Sequence, residues 1–348
     1  MVKDEWRRCV AAWILLCAIL VALMVILGGY TRLSGAGLSI TEWKPVHGVI
    51  PPLSDTAWQE EFARYRASPQ FEKINFGMTL EGFKSIYWPE YFHRLLGRVI
   101  GIVFLLPLVC FTWNKAISRR LTLRLAGIFA LGGAQGLLGW YMVQSGLVNN
   151  PHVSHLRLAA HLGLALLILG LLFWTWLDIR RPLPTPLPQA GKGGAIPLFV
   201  LLCIQILYGA LTAGLHGGLV YNTFPAMDGQ WLPAALWPDA QPWWRILTEN
   251  VPTVQFIHRW LAMLLGGALI LWWFAQRPHV INTALRRVLD ATLAVCLAQI
   301  LLGILTLLHQ APLPLALLHQ FTALALFVLM LTLVHALHKS HNLTGHDA

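Results

Sequence analysis

Four histidines of this 348-residue chain stand in two matched pairs, His93 with His161 and His258 with His319. Each lies in an apolar, helix-like run: EYFHRLLGR at 90–98, AAHLGLALL at 159–167, VQFIHR at 254–259 and LLHQFTALAL at 317–326. Two imidazoles that face each other from neighbouring helices clamp a haem iron from both sides. A metal bound without haem needs further ligands, and no outer-loop carboxylate accompanies each pair. The apolar, glycine-containing stretches GLLGW at 136–140 and GGAL at 266–269 suit the walls of a flat haem slot.

One carboxylate breaks the symmetry. Glu90 lies three residues before His93, on the same helical face; the matching position in the second half, 90 + 165 = 255, is Gln255. An acid in one half only implies that one half reacts while the other keeps a permanent cofactor. The plainer alternative is an interfacial acid paired with Arg94. Arg94 and Arg259 each follow the first histidine of their pair, about 100° further round a helix, so they can reach haem propionates or lipid phosphates but not the metal. Arg157, four residues before His161, has the same two readings.

The matched pairs reflect an internal duplication. HRLLGR at 93 and HRW at 258 are offset by 258 − 93 = 165, AQGLLG at 134 and AQILLG at 298 by 164, and His161 and His319 by 158. ILGGYTRLSGAG at 26–37 also resembles ILYGALTAGLHG at 206–217. The expected domains are a reacting half at 1–180, a Pro- and Gly-rich linker at 181–195 and a half with a permanent cofactor at 196–348. With four helices each, the halves cross a membrane in the same sense, as parallel repeats do.

Composition requires that membrane. The chain is 57% hydrophobic and 11% charged, with mean hydropathy +0.61, against about 25% charged in soluble domains. Uncharged runs long enough to span as helices cover 10–30, 92–113, 123–144, 158–177, 196–215, 256–275, 288–308 and 315–337. The expected fold is therefore all-α, with eight transmembrane helices in two pseudo-symmetric four-helix bundles. The first run is too long for a signal-peptide core and reads as a retained helix. Of the 25 basic residues, 14 fall in short segments on the side of the N-terminus, which makes both termini cytoplasmic. The net charge of +10 is dispersed over many loops, which fits anionic lipid and excludes a nucleic-acid partner. The five cysteines all avoid the outer loops and read as small packing residues. The remaining histidines read as solvated: His335, His338, His341 and His346 in a cytoplasmic tail, His279 in a cytoplasmic loop, and His47, His152, His155, His216 and His309 on the outer side.

Over nearly its whole length the chain resembles the haem A synthase family, in its proteobacterial and mitochondrial branch. The resemblance rests on GGYTRLSGAGLSITEWKPVHGVIPP at 28–52, EYFHRLLGR at 90–98, the 155–161 segment, YNTFPAMDG at 221–229, VQFIHR at 254–259 and LLHQ at 317–320. It implies an oxidoreductase of the bacterial inner membrane that converts haem O to haem A for terminal oxidases, oxidising one methyl to a formyl through a hydroxymethyl stage. It further implies that His93 and His161 flank the reacting haem with Glu90 catalytic, and that His258 and His319 hold haem b. The partners it implies are haem O synthase, terminal oxidase assembly factors, an electron donor or acceptor and a second copy of the chain. Some relatives carry a cysteine pair in the first outer loop; this chain has none, so no thiol step carries over. Ile257 stands where an acidic residue is expected.

Two other classes fit parts of the pattern. A non-catalytic di-haem b electron-transfer subunit needs both histidine pairs but not Glu90. A parallel-repeat transporter needs a polar path at mid-membrane, whereas the polar residues here gather at the outer mouth. The sequence leaves open whether oxygen is activated at the substrate iron or electrons leave through haem b and water adds.

Overall fold

The computed structural model describes residues 2–43, 47–148, 151–180, 192–238 and 241–344. Eight of its helices are long and apolar enough to cross a membrane. These are α1 (Arg7–Leu33), α4 (Leu80–Trp113), α5 (Arg119–Gln144), α6 (His155–Ile179), α7 (Lys192–Gly214), α9 (Val251–Gln276), α10 (Thr283–Leu308) and α11 (Leu313–Thr344). Three short helices, α2 (Asp55–Arg66), α3 (Pro69–Lys73) and α8 (Trp243–Glu249), lie in the two long loops. The chain is a multi-pass, all-α membrane protein. Helices satisfy every backbone group internally, which a bilayer demands.

The chain divides into two compact units, Met1–Leu169 and Gly170–Ala348, the division falling inside α6. Most of the expected linker, residues 181–191, lies outside the described residues.

In the first unit, α1 packs on α4 through Trp13, whose indole donates to the Val103 carbonyl at 2.9 Å and whose ring meets Phe104 and Phe111 at 5.5 and 5.4 Å. α4 begins a dozen residues before the expected span. Thr79 caps it by accepting from the Gly82 amide at 3.2 Å, and its first turns are held by an aromatic cluster with α2. Trp58, Phe62 and Tyr65 bury themselves against Phe83, Tyr87 and Tyr91 there. His93 therefore sits more than three turns into its helix, not in the first turn as the hydropathy boundary implied. The extra turns are stabilised by aromatic packing, which a search for apolar runs does not detect.

In the second unit the core is aliphatic, with Leu198, Leu202, Leu265, Leu269, Leu289 and Met330 buried together. At its far end from the long loop, Arg277 meets Asp290 at 2.7 Å, and Trp273 donates to the same carboxylate at 2.9 Å. His335 is a correction to the solvated reading. It is buried within α11, 3.0 Å from Asp178 and edge-on to Trp174. A charged partner on α6 removes the cost of burying its ring.

Candidate haem-binding sites

Each unit brings its two histidines in from two helices and backs them with glycines on the other two. In the first unit, a Cβ placed on Gly28 of α1 would lie 3.0 Å from the His93 ring, and one on Gly139 of α5 would lie 2.9 Å from the His161 ring. In the second, Gly209 of α7 stands against His258 and Gly303 of α10 against His319, at 3.1 and 2.9 Å. A Cβ at Gly139 or Gly303 would force the imidazole to shift, and one at Gly28 or Gly209 would require it to give by a few tenths of an ångström. The slot glycines expected at 136 and 266 differ. Gly136 faces open space, and Gly266 packs on Ile300.

One turn before three of these glycines is a glutamine, and residues four apart share a helix face. Gln135, four before Gly139, donates to the His161 carbonyl at 3.0 Å and lies 3.4 Å from its Nε2. Gln205, four before Gly209, reaches the Nδ1 and the carbonyl of His258, both at 3.0 Å. Gln299, four before Gly303, lies 3.4 Å from His319 Nε2; Thr322 donates to the Gln299 side-chain oxygen and to the His319 carbonyl. The repeated AQGLLG and AQILLG segments thus encode one device, a glutamine and a glycine that hold a histidine. Their duplication was visible in the sequence. Their purpose was not, because the histidine they serve is on another helix.

The fit to haem can be tested on these rings. The centroids of His258 and His319 are 6.5 Å apart. A metal–nitrogen bond is about 2 Å long, so two imidazole rings at this separation would leave room for one metal atom between them. The Nδ1 atoms of His161 and His319 are buried without a hydrogen-bond partner, a state that binding to a metal would relieve. Among the described residues no group of three or more His, Cys, Asp or Glu gathers to hold a bare metal ion. The residues fit haem.

Above the histidines, each unit fastens its long loop with an arginine. Arg94 donates to the carbonyls of Ile40 and Glu42 at 2.6 and 2.8 Å and meets Glu90 at 2.6 Å. Arg259 donates to the carbonyls of Tyr221 and Thr223, the latter at 2.7 Å, and to Gln255 at 3.2 Å. Their guanidinium groups are occupied by loop backbone. Arg157 is likewise engaged, donating to the Tyr141 carbonyl at 2.7 Å and stacking on its ring.

Glu90 is buried, 3% exposed, and both its oxygens are used. Oε2 accepts from the Ser39 hydroxyl at 2.7 Å and the Ile40 amide at 2.9 Å, while Oε1 takes Arg94. Gln255 does the complementary job, donating to the carbonyls of Gly217 and Val220 at 2.7 and 2.5 Å. These contacts correct the register of the first-helix repeat. Gly28 with Gly209, Thr31 with Thr212, and Ile40 with Tyr221 all differ by 181, one more than the sequence match of 26–37 to 206–217 gave. Similar apolar letters align equally well one residue off; the glycine that must clear the imidazole decides.

Comparison with known proteins follows the same lines. The family model described as "Cytochrome oxidase assembly protein" (COX15-CtaA) matches residues 11–331. A protein named "Heme A synthase" from Nitrosospira multiformis is 46% identical over 341 residues, covering 97% of this chain and 96% of its own. Proteins of the same name from Rhodospirillum centenum and Paracoccus denitrificans are 47% and 46% identical, covering 95% and 94% of this chain and 88% of their own in each case. The chain belongs to this family of cytochrome oxidase assembly proteins.

Proposed function

We propose that the chain is a haem A synthase, an oxidoreductase that converts haem O to haem A in the inner membrane, with both termini in the cytoplasm. The reading is carried by the two histidine pairs, each ring backed by a glycine, in a chain whose relatives of that name align over nearly its full length. In it His258 and His319 hold haem b, and His93 and His161 hold the haem that reacts. When bound, that haem supplies the redox chemistry for two successive oxidations of one of its methyl groups, first to a hydroxymethyl and then to a formyl.

The chain's own residues have definable tasks in that scheme. The histidines fix the plane of the porphyrin, and the glycines leave room for the rings to meet it. Arg94 and Glu90 fasten residues 39–42 of the long loop, which in this scheme would limit the access of water to the site. Glu90 is the acid of the reacting half, and freeing Oε2 from Ser39 lets it accept a proton at the substrate's edge. Converting methyl to formyl removes four electrons and adds one oxygen atom, so an electron acceptor must take those electrons where water supplies the oxygen, or an electron donor must supply two per step where dioxygen does.

Expression in a host that makes haem O but lacks haem A tests the proposal. Extraction should yield haem A, identified by the mass of its formyl side chain. Haem O alone, with two equivalent haem b groups in the protein, would instead favour the electron-transfer subunit. Replacing His258 or His319 by Leu should abolish the haem b signal; retention in both would overturn that assignment.

A further inference from the structure

The repeat has one odd member. At three of the four histidines a glutamine sits four residues before the backing glycine: Gln135, Gln205 and Gln299. The place equivalent to Gln205, on the 181-residue register, is Met24. Its methyl group packs at 3.5 Å from where a Cβ on Gly97 would be, one turn past His93 on α4. A thioether cannot donate a hydrogen bond, and among the described residues no side chain or backbone group bonds the His93 ring. The ring has also turned. Its Nε2 and Cδ2 edge faces Gly28, whereas His258 shows its Cε1 to Gly209.

A ligating imidazole that donates its distal N–H to a fixed acceptor has its orientation set and its basicity raised, and outer partners of this kind change metal affinity by about 10–100-fold. Three rings have a glutamine amide within 3.0–3.4 Å of a ring nitrogen. Once the other nitrogen binds metal this one carries the proton, and turning the amide brings its Oε1 round to accept it. The equivalent place for His93 instead holds Met24, which packs toward Gly97. We infer that His93 is the releasable imidazole, the one ligand built to let go of its iron, and that Met24 is the residue that makes it so. His161 stays, held by Gln135. In the second unit both ligands are locked, as a permanent cofactor requires. This inference rests on the proposed function, because it needs a haem between His93 and His161.

Carbon monoxide is the probe, since it binds ferrous haem only where an axial position opens. In the full-length protein, purified with its haems, reduced wild type should take up carbon monoxide at one haem and not at the other. Met24→Gln should lower that uptake about tenfold or more and shift the remaining spectrum toward the low-spin form. Gln205→Met should do the reverse and let the haem of the second unit bind carbon monoxide. Two exchanges in opposite directions separate the inference from simple misfolding. If either variant keeps its haems yet matches wild type in carbon monoxide uptake, the inference is overturned. If His93→Leu and His161→Leu both leave haem content unchanged, the haem of the first unit is not there, and the function proposed above fails together with it.

Discussion

Glu90 and Arg94 meet at 2.6 Å, one helical turn apart on α4, and together hold residues 39–42 of the long loop by donors and acceptors on both sides. The loop meets this pair with a hydroxyl, an amide and two carbonyls. A buried carboxylate that loses its cation is left uncompensated, at a cost of about 3–5 kcal/mol. Arg94→Leu should therefore lower the melting temperature of the detergent-solubilised protein and expose the loop to protease. Arg259→Leu should cost less, because Gln255 carries no charge. Equal losses in the two variants would contradict this account of the pair.

The backing glycines are predicted to be intolerant of the smallest side chain. Gly303→Ala puts a methyl 2.9 Å from His319 Cε1, with helix backbone on one side and a packed ring on the other. The haem b content per protein, read as the pyridine haemochrome, should fall severalfold. Gly267→Ala, where nothing lies within 4 Å, should be unaffected. Full haem b content in Gly303→Ala would mean that the ring is free to move aside.

Topology can be tested at Gln230, which is exposed in the second long loop. With the exposed Cys9 and Cys110 replaced by Ser, a Gln230→Cys variant should react with a membrane-impermeant thiol reagent from the periplasmic side of intact inner membranes. Labelling only after the inner membrane is broken would invert the orientation derived from Lys and Arg placement.

The eight spans, the duplication and the four histidines were legible because each is a local feature: an apolar run, a repeated string, a rare polar residue in an apolar run. What was not legible depends on meetings between helices. Gln205 and Gln299 look like ordinary polar residues until His258 and His319 are brought beside them. The assignment of Arg94 and Arg259 to propionates or phosphates followed from helical angle alone. The angle was sound, but it carried no information about the Ile40, Glu42, Tyr221 and Thr223 carbonyls that occupy both side chains. Likewise Leu80–Tyr91 did not register as the start of α4, since its stabilising partners on α2 are aromatic residues about 25 positions earlier in sequence.

The acid at position 90 gives the sharpest test, because the second unit already shows what an amide does in the same place. Gln255 keeps its arginine, accepting from Arg259 at 3.2 Å, and donates to loop carbonyls. Glu90→Gln should therefore keep Arg94 bound and the protein folded. Its new NH2 group cannot accept from both Ser39 and Ile40 as Oε2 does, so one loop donor loses its partner, at about 1–3 kcal/mol. That is a modest loss against the pair-breaking Arg94→Leu, and melting should rank the two variants accordingly. Catalysis separates further, since an amide neither carries charge nor exchanges a proton. Glu90→Gln should retain haem b, still bind haem O and make little haem A, with the hydroxymethyl form accumulating if the acid serves the second oxidation. Ser39→Ala removes the same loop contact while sparing the carboxylate, and should retain most of the activity. If Ser39→Ala and Glu90→Gln lose haem A formation equally, Glu90 acts only by positioning the loop; if Glu90→Gln alone loses it, the carboxylate itself takes part in the reaction.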